Sequence, residues 1–240
     1  MADYERYGDY NEIDEPPAKR GFISLFLKIL VAMLCIGVVG IIAFRIILFN
    51  YYPASMKTIY FNDTLTEYYN ATRGDVGAKT QTILSKYDDP DKGNFFSDYL
   101  IIVPGINQLQ ITVRCNSSVN EAIAEKYGLE SFDVSNDGAL TFRLYDNEGR
   151  VYDNLVHVER DELMMYRYFK LVFEDVLFYG ENGTAEEIGA EGNDDPKWIR
   201  LEIFVNGQQG EPFSKLPIYE NHETYSEFKS YELSASEVPG

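Results

Sequence analysis

The sequence of 240 residues is poor in basic residues, cysteine and histidine. It contains 21 lysines and arginines against 39 aspartates and glutamates, a formal net charge of −18, and two residues each of cysteine and histidine. This charge excludes a nucleic-acid binder of the usual kind, which needs a basic face for phosphates. Cys115 is the only cysteine after residue 50, so that part of the chain has no intramolecular disulfide, and no Cys/His spacing matches a zinc site.

A long apolar run over residues 22–49 predicts a transmembrane helix, since about 20 residues cross the hydrocarbon of a bilayer. Lys28 and Arg45 interrupt the run near its two ends. Their long side chains can reach the headgroups, and Tyr51 and Tyr52 follow where aromatic rings favour the outer interface. We therefore predict these four residues as membrane anchors and membrane lipid as the partner of residues 22–49.

The charges that flank the run predict its orientation. Lys19, Arg20 and Lys28 lie on its N-terminal side, against Arg45 and Lys57 on the other. A cleaved signal peptide is the alternative, but the apolar run continues past Arg45 and ends without a small-residue cleavage pattern. We therefore predict an uncleaved signal anchor in the cell membrane, with the N-terminus in the cytoplasm and the C-terminal domain extracellular.

Composition divides the chain into a short cytoplasmic part and a long exported part. Residues 51–240 hold 33 acidic and 16 basic residues, a net charge of −17, and are numerous enough for one domain with a substantial core. The predicted segments are a disordered acidic tail (1–21), the transmembrane helix (22–49), a juxtamembrane segment with strands near Lys57–Phe61 and Thr80–Leu84 (50–93), a β-sandwich (94–220) and a flexible tail (221–240).

Alternation of apolar and polar residues predicts half-buried strands after residue 94. In 108–114, Leu109, Ile111 and Val113 are expected to face inward, and the residues between them, Gln108, Gln110, Thr112 and Arg114, to face solvent. One helix is expected over 118–127, with Gly128 as its stop. The fold predicted is mainly β, an Ig-like antiparallel sandwich preceded by one transmembrane helix. Its strands are Phe95–Val103, Gln108–Arg114, Leu140–Leu144, Arg150–Val158, Tyr166–Phe178, Trp198–Val205 and Pro212–Tyr219.

Three stretches carry a resemblance to a known class of proteins: Leu109–Arg114, Phe142–Tyr152 and Tyr168–Phe173. They resemble uncharacterised single-pass surface proteins of Gram-positive bacteria. They are also similar to Ig-like ectodomains of bacterial surface lipoproteins in which a strand ends in an Asp-x-x-Gly-x-x-Tyr turn. The resemblance implies an Ig-like fold and carries over no catalytic residue. The chain departs from the lipoprotein pattern because Cys35 lies within the apolar run rather than after it.

Acidic loops are the candidates for a metal site, the first at residues 88–94 and a smaller cluster at 193–195. Asp88, Asp89, Asp91 and Asn94 offer oxygen ligands of the kind that Ca²⁺ prefers, so calcium is the one cofactor considered. The loop lacks the EF-hand order, and Asp, Asn, Pro and Gly are also the standard turn residues. A turn and a calcium site are therefore both open readings of this loop.

Four triplets match the N-glycosylation pattern. They begin at Asn62, Asn70, Asn116 and Asn182, all in the predicted outer part. Chance alone gives about one to three such triplets in a chain of this composition, so glycosylation and chance both remain as explanations.

The function predicted is that of a non-enzymatic, membrane-anchored cell-surface protein. Its β-sandwich would bind, sense or scaffold at the envelope, with an envelope protein or glycan as partner. One alternative is an accessory subunit of a membrane complex. Another is an envelope carbohydrate-active hydrolase, which requires two carboxylates about 5–10 Å apart in a cleft.

Overall fold

The computed structural model describes residues 18–82, 94–177, 198–220 and 229–238, and the chain divides into two units between Tyr52 and Pro53. The elements in chain order are α1 (Ala18–Asn50), α2 (Ala54–Lys57), α3 (Asp63–Ala71), β1 (Lys79–Thr82), β2 (Phe95–Val103), a 3-10 turn (Pro104–Ile106), β3 (Gln108–Asn116), α4 (Ser118–Tyr127), β4 (Leu140–Asp146), β5 (Val151–Tyr152), β6 (Leu155–Leu163), β7 (Tyr166–Phe173), β8 (Trp198–Val205), β9 (Ser214–Glu220) and β10 (Lys229–Ser230).

Helix α1 contains the predicted apolar segment. Its stretch Ser24–Ile47 has 24 residues and a mean hydropathy of 2.8, and none of it is buried. At 1.5 Å per residue it is about 36 Å long, against about 30 Å of hydrocarbon in a bilayer. Lys28 and Arg45 lie near its two ends, as expected of side chains that reach the headgroups. Among the described residues this is the one helix long and apolar enough to cross a membrane.

The second unit consists of two antiparallel sheets and confirms the prediction of a mainly β domain. One sheet has six strands in the order β10-β1-β2-β3-β7-β6, and the other has four in the order β5-β4-β8-β9. The strands that the sequence placed at 95–103, 108–114, 140–144 and 198–205 are present, and α4 ends at Gly128 as predicted. Neither sheet is closed into a barrel.

One hydrophobic core is shared by the two sheets. Alternation along the strands supplies it: Ile111 of β3 pairs with Leu100 and Leu171 in the six-stranded sheet, while Leu144 of β4 pairs with Leu201 in the other. All of these side chains are fully buried. The period-two pattern that predicted the strands therefore also identified the side of each strand that faces the core.

Three strand predictions are wrong: one strand is absent, one is divided and one is shorter than predicted. No strand forms over Lys57–Phe61, because the backbone groups there bond to side chains of the sheet and not to a neighbouring strand. The strand predicted over Arg150–Val158 is divided: β5 pairs with β4 and β6 pairs with β7, so the chain changes sheets between Tyr152 and Leu155. The strand beginning at Tyr166 ends at Phe173.

The turn after β4 is held by the buried carboxylate of Asp146. It accepts hydrogen bonds from the backbone N–H groups of Glu148 and Arg150, both 2.9 Å, from Arg150 Nε at 2.6 Å and from the Tyr152 hydroxyl at 2.8 Å. Burial alone raises the pKa of Asp146, but these donors outweigh it and hold the pKa below its ordinary value. Gly149, at φ 80°, provides the left-handed conformation that the turn requires.

A second, smaller hydrophobic core lies on the other face of the six-stranded sheet. Ile101 and Val103 of β2 pack there against Ile59, Leu65 and other apolar side chains between residues 59 and 78. Tyr231 and Leu233, from the segment predicted to be a flexible tail, pack against the same core, and β10 adds a short strand beside β1. The juxtamembrane residues and part of the C-terminal segment therefore belong to the compact unit.

Candidate functional site: a strap across the six-stranded sheet

Polar side chains of β3 line a covered face of the six-stranded sheet. Gln108, Gln110, Thr112 and Arg114 are at most 3 % exposed, so the prediction that they face solvent is wrong. Apolar and polar residues do alternate along β3, but the polar side is covered by residues 53–62, which we call the strap. The polar side chains of β3 contact the strap. Buried polar groups need hydrogen-bond partners, and the strap supplies them to three of these four residues.

The strap is recognised through its backbone. The side-chain amide of Gln110 accepts from the Tyr60 N–H at 2.7 Å and donates to the Tyr60 carbonyl at 2.8 Å, as a neighbouring strand would. Thr112 Oγ1 donates to the Met56 carbonyl at 2.5 Å. Gln110 also donates to Gln108 Oε1 at 2.9 Å, so both side-chain amides belong to one network.

Lys170 of β7 holds the strap with a buried charge. Its Nζ donates to the carbonyl oxygens of Thr58, at 2.8 Å, and Ser55, and lies 3.7 Å from Glu159 Oε2 on β6. The Lys170 side chain is 4 % exposed. Burial lowers the pKa of Lys170, and the attraction of Glu159 partly offsets this. The ammonium thus has two hydrogen-bond acceptors in the strap, and Glu159 lies near enough to balance its charge.

The C-terminal end of the strap is fixed by Asn62. Its Oδ1 accepts from Leu65 N at 3.0 Å, which caps α3, and from Gln108 Nε2 at 3.1 Å. Its Nδ2 donates to Glu174 Oε1 at 2.7 Å. The strap therefore passes into α3 through a residue that is bonded to the helix, to β3 and to the residue following β7.

Residues near the C-terminus bind the middle of the strap. The Ile59 N–H is 3.0 Å from the Tyr231 hydroxyl and 3.2 Å from Glu237 Oε1, and the two side chains are hydrogen-bonded to each other. Burial raises the pKa of Tyr231. Burial also opposes ionisation of Glu237, but hydrogen bonds from Tyr231 and Ser234 lower its pKa overall. Met56 and Ile59, 1 % and 5 % exposed, anchor the strap by apolar contact.

A ring stack joins the strap to β6. Tyr60 and His157 lie with their ring centroids 3.7 Å apart and their planes within 5° of parallel. His157 Nε2 is buried and has no hydrogen-bond partner among the described residues. Burial lowers the pKa of His157, and the Lys170 charge acts in the same direction while Glu159 opposes it. Burial beside Tyr60 therefore favours a neutral imidazole.

The arrangement holds a segment of chain in place. The amide of Gln110, the ammonium of Lys170 and the hydroxyl of Thr112 all bond to strap backbone atoms, so each polar group is used for attachment. One signal of the strap is present in the sequence of β7, whose residues are buried on both faces, with Tyr168 and Val172 on the face of Lys170. A strand that is apolar on both faces indicates that both are covered.

Of the four predicted calcium ligands, the structure describes Asn94 alone, so the calcium site stays a prediction. Asp88, Asp89 and Asp91 lie outside the described residues, and Asn94 is exposed at the start of β2 with φ 68°. Among the described residues, no three His, Cys, Asp or Glu side chains form a group suited to a metal ion. Of the predicted anchors, Tyr51 is exposed and Tyr52 half-buried, immediately after α1.

Three of the four N-glycosylation triplets lie in the described residues. Asn70 is exposed near the end of α3. Asn62 is half-buried with its nitrogen bonded to Glu174, and Asn116 is half-buried with its Oδ1 bonded to Ser118. Asn182 lies outside the described residues. Asn70 is therefore the most accessible acceptor of the three.

One cavity is lined by two carboxylates from consecutive positions of β6. It has a volume of about 210 Å³ and is lined by Asp161, Glu162, Arg160 and Arg167, among others. Asp161 accepts from the strap residue Ser55, while Glu162 pairs with Arg167 at 2.8 Å. Successive residues of a strand point to opposite faces, so these two carboxylates diverge. This cavity therefore does not supply the two facing carboxylates that the hydrolase alternative requires.

Searches of protein-family models, of curated proteins and of solved structures find no match to this chain. The fold itself defines the class: a mainly β protein with antiparallel sheets and one N-terminal apolar helix. The resemblance to Gram-positive surface proteins stays a prediction.

Proposed function

We propose that this protein is a non-enzymatic, single-pass membrane protein that displays an Ig-like β-sandwich at the cell surface, where it binds, senses or scaffolds an envelope component. The observation that carries the proposal is the short connection between anchor and domain. Helix α1 ends at Asn50, and the strap begins at Pro53. An apolar helix of this length is long enough to cross a membrane, so it can anchor a domain that follows it within a few residues.

The strap makes the domain suitable for this role. The strap is the first segment of the domain after the anchor. The contacts of Lys170, Gln110 and Thr112 join it to β3 and β7, neighbouring strands of the six-stranded sheet that also contribute to the main core. The residues that follow the anchor are therefore attached to the centre of the domain.

Two features support the Ig-like part of the proposal. Two antiparallel sheets share one core, as in a sandwich. The Asp146–Tyr152 turn has the hydrogen bonds that make its Asp-x-x-Gly-x-x-Tyr pattern a stabilising one. We further propose that the N-terminus is cytoplasmic and that an envelope protein or glycan is the partner.

Cysteine labelling of intact cells tests the topology. Cys115 is buried and Cys35 lies in the apolar run, so a single added thiol dominates the reaction with a membrane-impermeant maleimide. We expect Gln209→Cys, at an exposed position after β8, to react in intact cells, and Gly8→Cys to react only after permeabilisation. The unsubstituted chain is the matched control. The reverse pattern, or release of the chain by alkaline carbonate, would contradict the proposal.

Cross-linking in intact membranes tests the binding role. A photoreactive maleimide on Gln209→Cys should yield a defined adduct with an envelope protein or glycan. Recovery of solitary copies alone, under conditions where the same label reacts efficiently, would refute a binding or scaffolding function.

A further inference from the structure

The outer face of the four-stranded sheet carries two arginines stacked on aromatic rings. The guanidinium carbon of Arg143, on β4, lies 5.4 Å from the centroid of Phe204. That of Arg200, on β8, lies 4.7 Å from the centroid of Trp198. Both arginines are exposed, whereas the outward side chains of β3 are buried under the strap.

These two arginines have Glu202 as a neighbour, which interacts electrostatically with Arg200, but unlike other arginines of the domain neither forms a close ion pair among the described residues. Arg150, Arg160 and Arg167 each form an ion pair of 2.9 Å or less. In the described part of the chain, no carboxylate lies within ion-pair distance of Arg143 or Arg200. Residues 51–240 hold 33 acidic residues against 16 basic ones, so acids are plentiful. Stacking on a ring holds a guanidinium flat and leaves its N–H edge available for a bidentate carboxylate.

The register of the sheet sets the spacing of the pair. Arg143 is opposite Glu202, and Arg200 is opposite Tyr145, so the two arginines are diagonal neighbours on one face. Diagonal neighbours in an antiparallel pair lie about 7–8 Å apart, and their Cβ atoms are somewhat closer. In an extended peptide, side chains two residues apart lie on the same side about 6.7 Å apart. Carboxylates at alternate positions of an extended peptide therefore match the two guanidinium groups.

We propose that the outer face of β4 and β8 binds an extended acidic segment of a partner protein, with carboxylates at alternate positions on Arg143 and Arg200. Tyr145 and Trp198, both half-buried, provide apolar surface beside the two arginines. Lys215 of β9 faces Glu202 in the register and offsets its charge. The proposal rests on the binding role proposed above and names its partner class, but it does not depend on the topology.

Fluorescence anisotropy with the detergent-solubilised full chain tests the proposal. The probe is a labelled peptide in which Glu and Ser alternate, and its matched control has Gln in place of Glu. Loss of one charged hydrogen-bonded pair costs about 1.5–3 kcal/mol, so Arg143→Gln or Arg200→Gln should each weaken probe binding about tenfold or more. Arg160→Gln, which removes an arginine already paired with Asp137 at 2.6 Å, should leave binding unchanged.

A gain of affinity separates a binding surface from a merely structural one. Glu202 lies between the two arginines and repels an acidic ligand, so Glu202→Gln should tighten probe binding several-fold. A peptide of the same composition with Glu residues in adjacent pairs should bind more weakly than the alternating peptide. Equal binding of the two peptides would overturn the spacing argument.

Other outcomes would overturn the proposal as a whole. Probe binding that is unchanged in the Arg143→Gln/Arg200→Gln double variant, or equal for the Gln peptide, would refute it. Binding of inorganic polyphosphate or hyaluronate, with no binding of the acidic peptide, would assign the face to an anionic polymer instead. These measurements use solubilised protein, so a failure here leaves the labelling experiment above as a separate result.

Discussion

Replacing Lys170 by methionine tests how strongly the strap is held. The substitution keeps the length of the side chain but removes the charge that binds the Ser55 and Thr58 carbonyls and pairs with Glu159. Removing one partner of a buried ion pair costs about 3–5 kcal/mol. The Glu159 side chain is 32 % exposed and stays partly hydrated, so we expect the lower end of this range, about 3 kcal/mol.

Urea unfolding of the solubilised full chain measures this loss. With a slope of about 2 kcal/mol/M, a loss of about 3 kcal/mol lowers the midpoint by about 1.5 M. Lys215→Met is the matched control: its side chain is 36 % exposed and its Nζ lies 3.5 Å from Glu211, so it should cost less than about 1 kcal/mol. Hydrogen exchange at the Ile59 and Tyr60 amides should accelerate in Lys170→Met alone. Equal midpoints for the two variants and unchanged exchange would refute the reasoning.

Three further predictions concern titratable groups. Because the pKa of Asp146 is lowered, its contribution to the free energy of unfolding is present above about pH 4 and is lost as the pH falls through the folded-state pKa. Asp146→Asn should remove this part of the acid sensitivity, as measured by urea titration at several pH values. It should also lower stability at neutral pH by about 2 kcal/mol. The lowered pKa of His157 means that stability falls as the pH drops below about 6.5; His157→Phe should retain the stack on Tyr60 without this loss. Burial raises the pKa of Cys115 to about 12, so its thiol should react with a maleimide at pH 8 only after unfolding.

Each of these predictions has an outcome that contradicts it. For Asp146→Asn it is an acid-unfolding curve parallel to that of the unsubstituted chain. For His157→Phe it is an unchanged slope of stability against pH between 5 and 7. For Cys115 it is labelling of the folded domain at the rate of a free thiol.

The sequence predicted the parts of the fold that depend on local periodicity. Alternation in 108–114 and 140–144 identified strands and their core-facing residues, since a strand with one buried face has to alternate. The apolar run between Ser24 and Ile47 identified the membrane segment by length alone. Each of these properties depends only on residues within a single strand or helix.

The strap was missed because it depends on contacts between distant parts of the chain. Gln108, Gln110, Thr112 and Arg114 alternate as solvent-facing residues do, and nothing local distinguishes a polar face in water from one under another segment. The Lys170 contacts join residues 112 and 115 positions apart. The apolar residues at Lys57–Phe61 predicted a strand there. The structure instead has a helical turn at Ala54–Lys57 and a helix cap at Asn62.

The hydrogen bonds of the strap also set the order in which the domain can fold. The Ile59 N–H bonds to Tyr231 and Glu237, 172 and 178 residues further along the chain. Pairings of such large sequence separation form slowly and only after most of the loop-closing entropy has been lost. The N–H of Ile59 therefore gains these two partners only after Tyr231 and Glu237 have been synthesised. Until then, Gln110, Thr112 and Lys170 hold the strap on the polar face of the sheet.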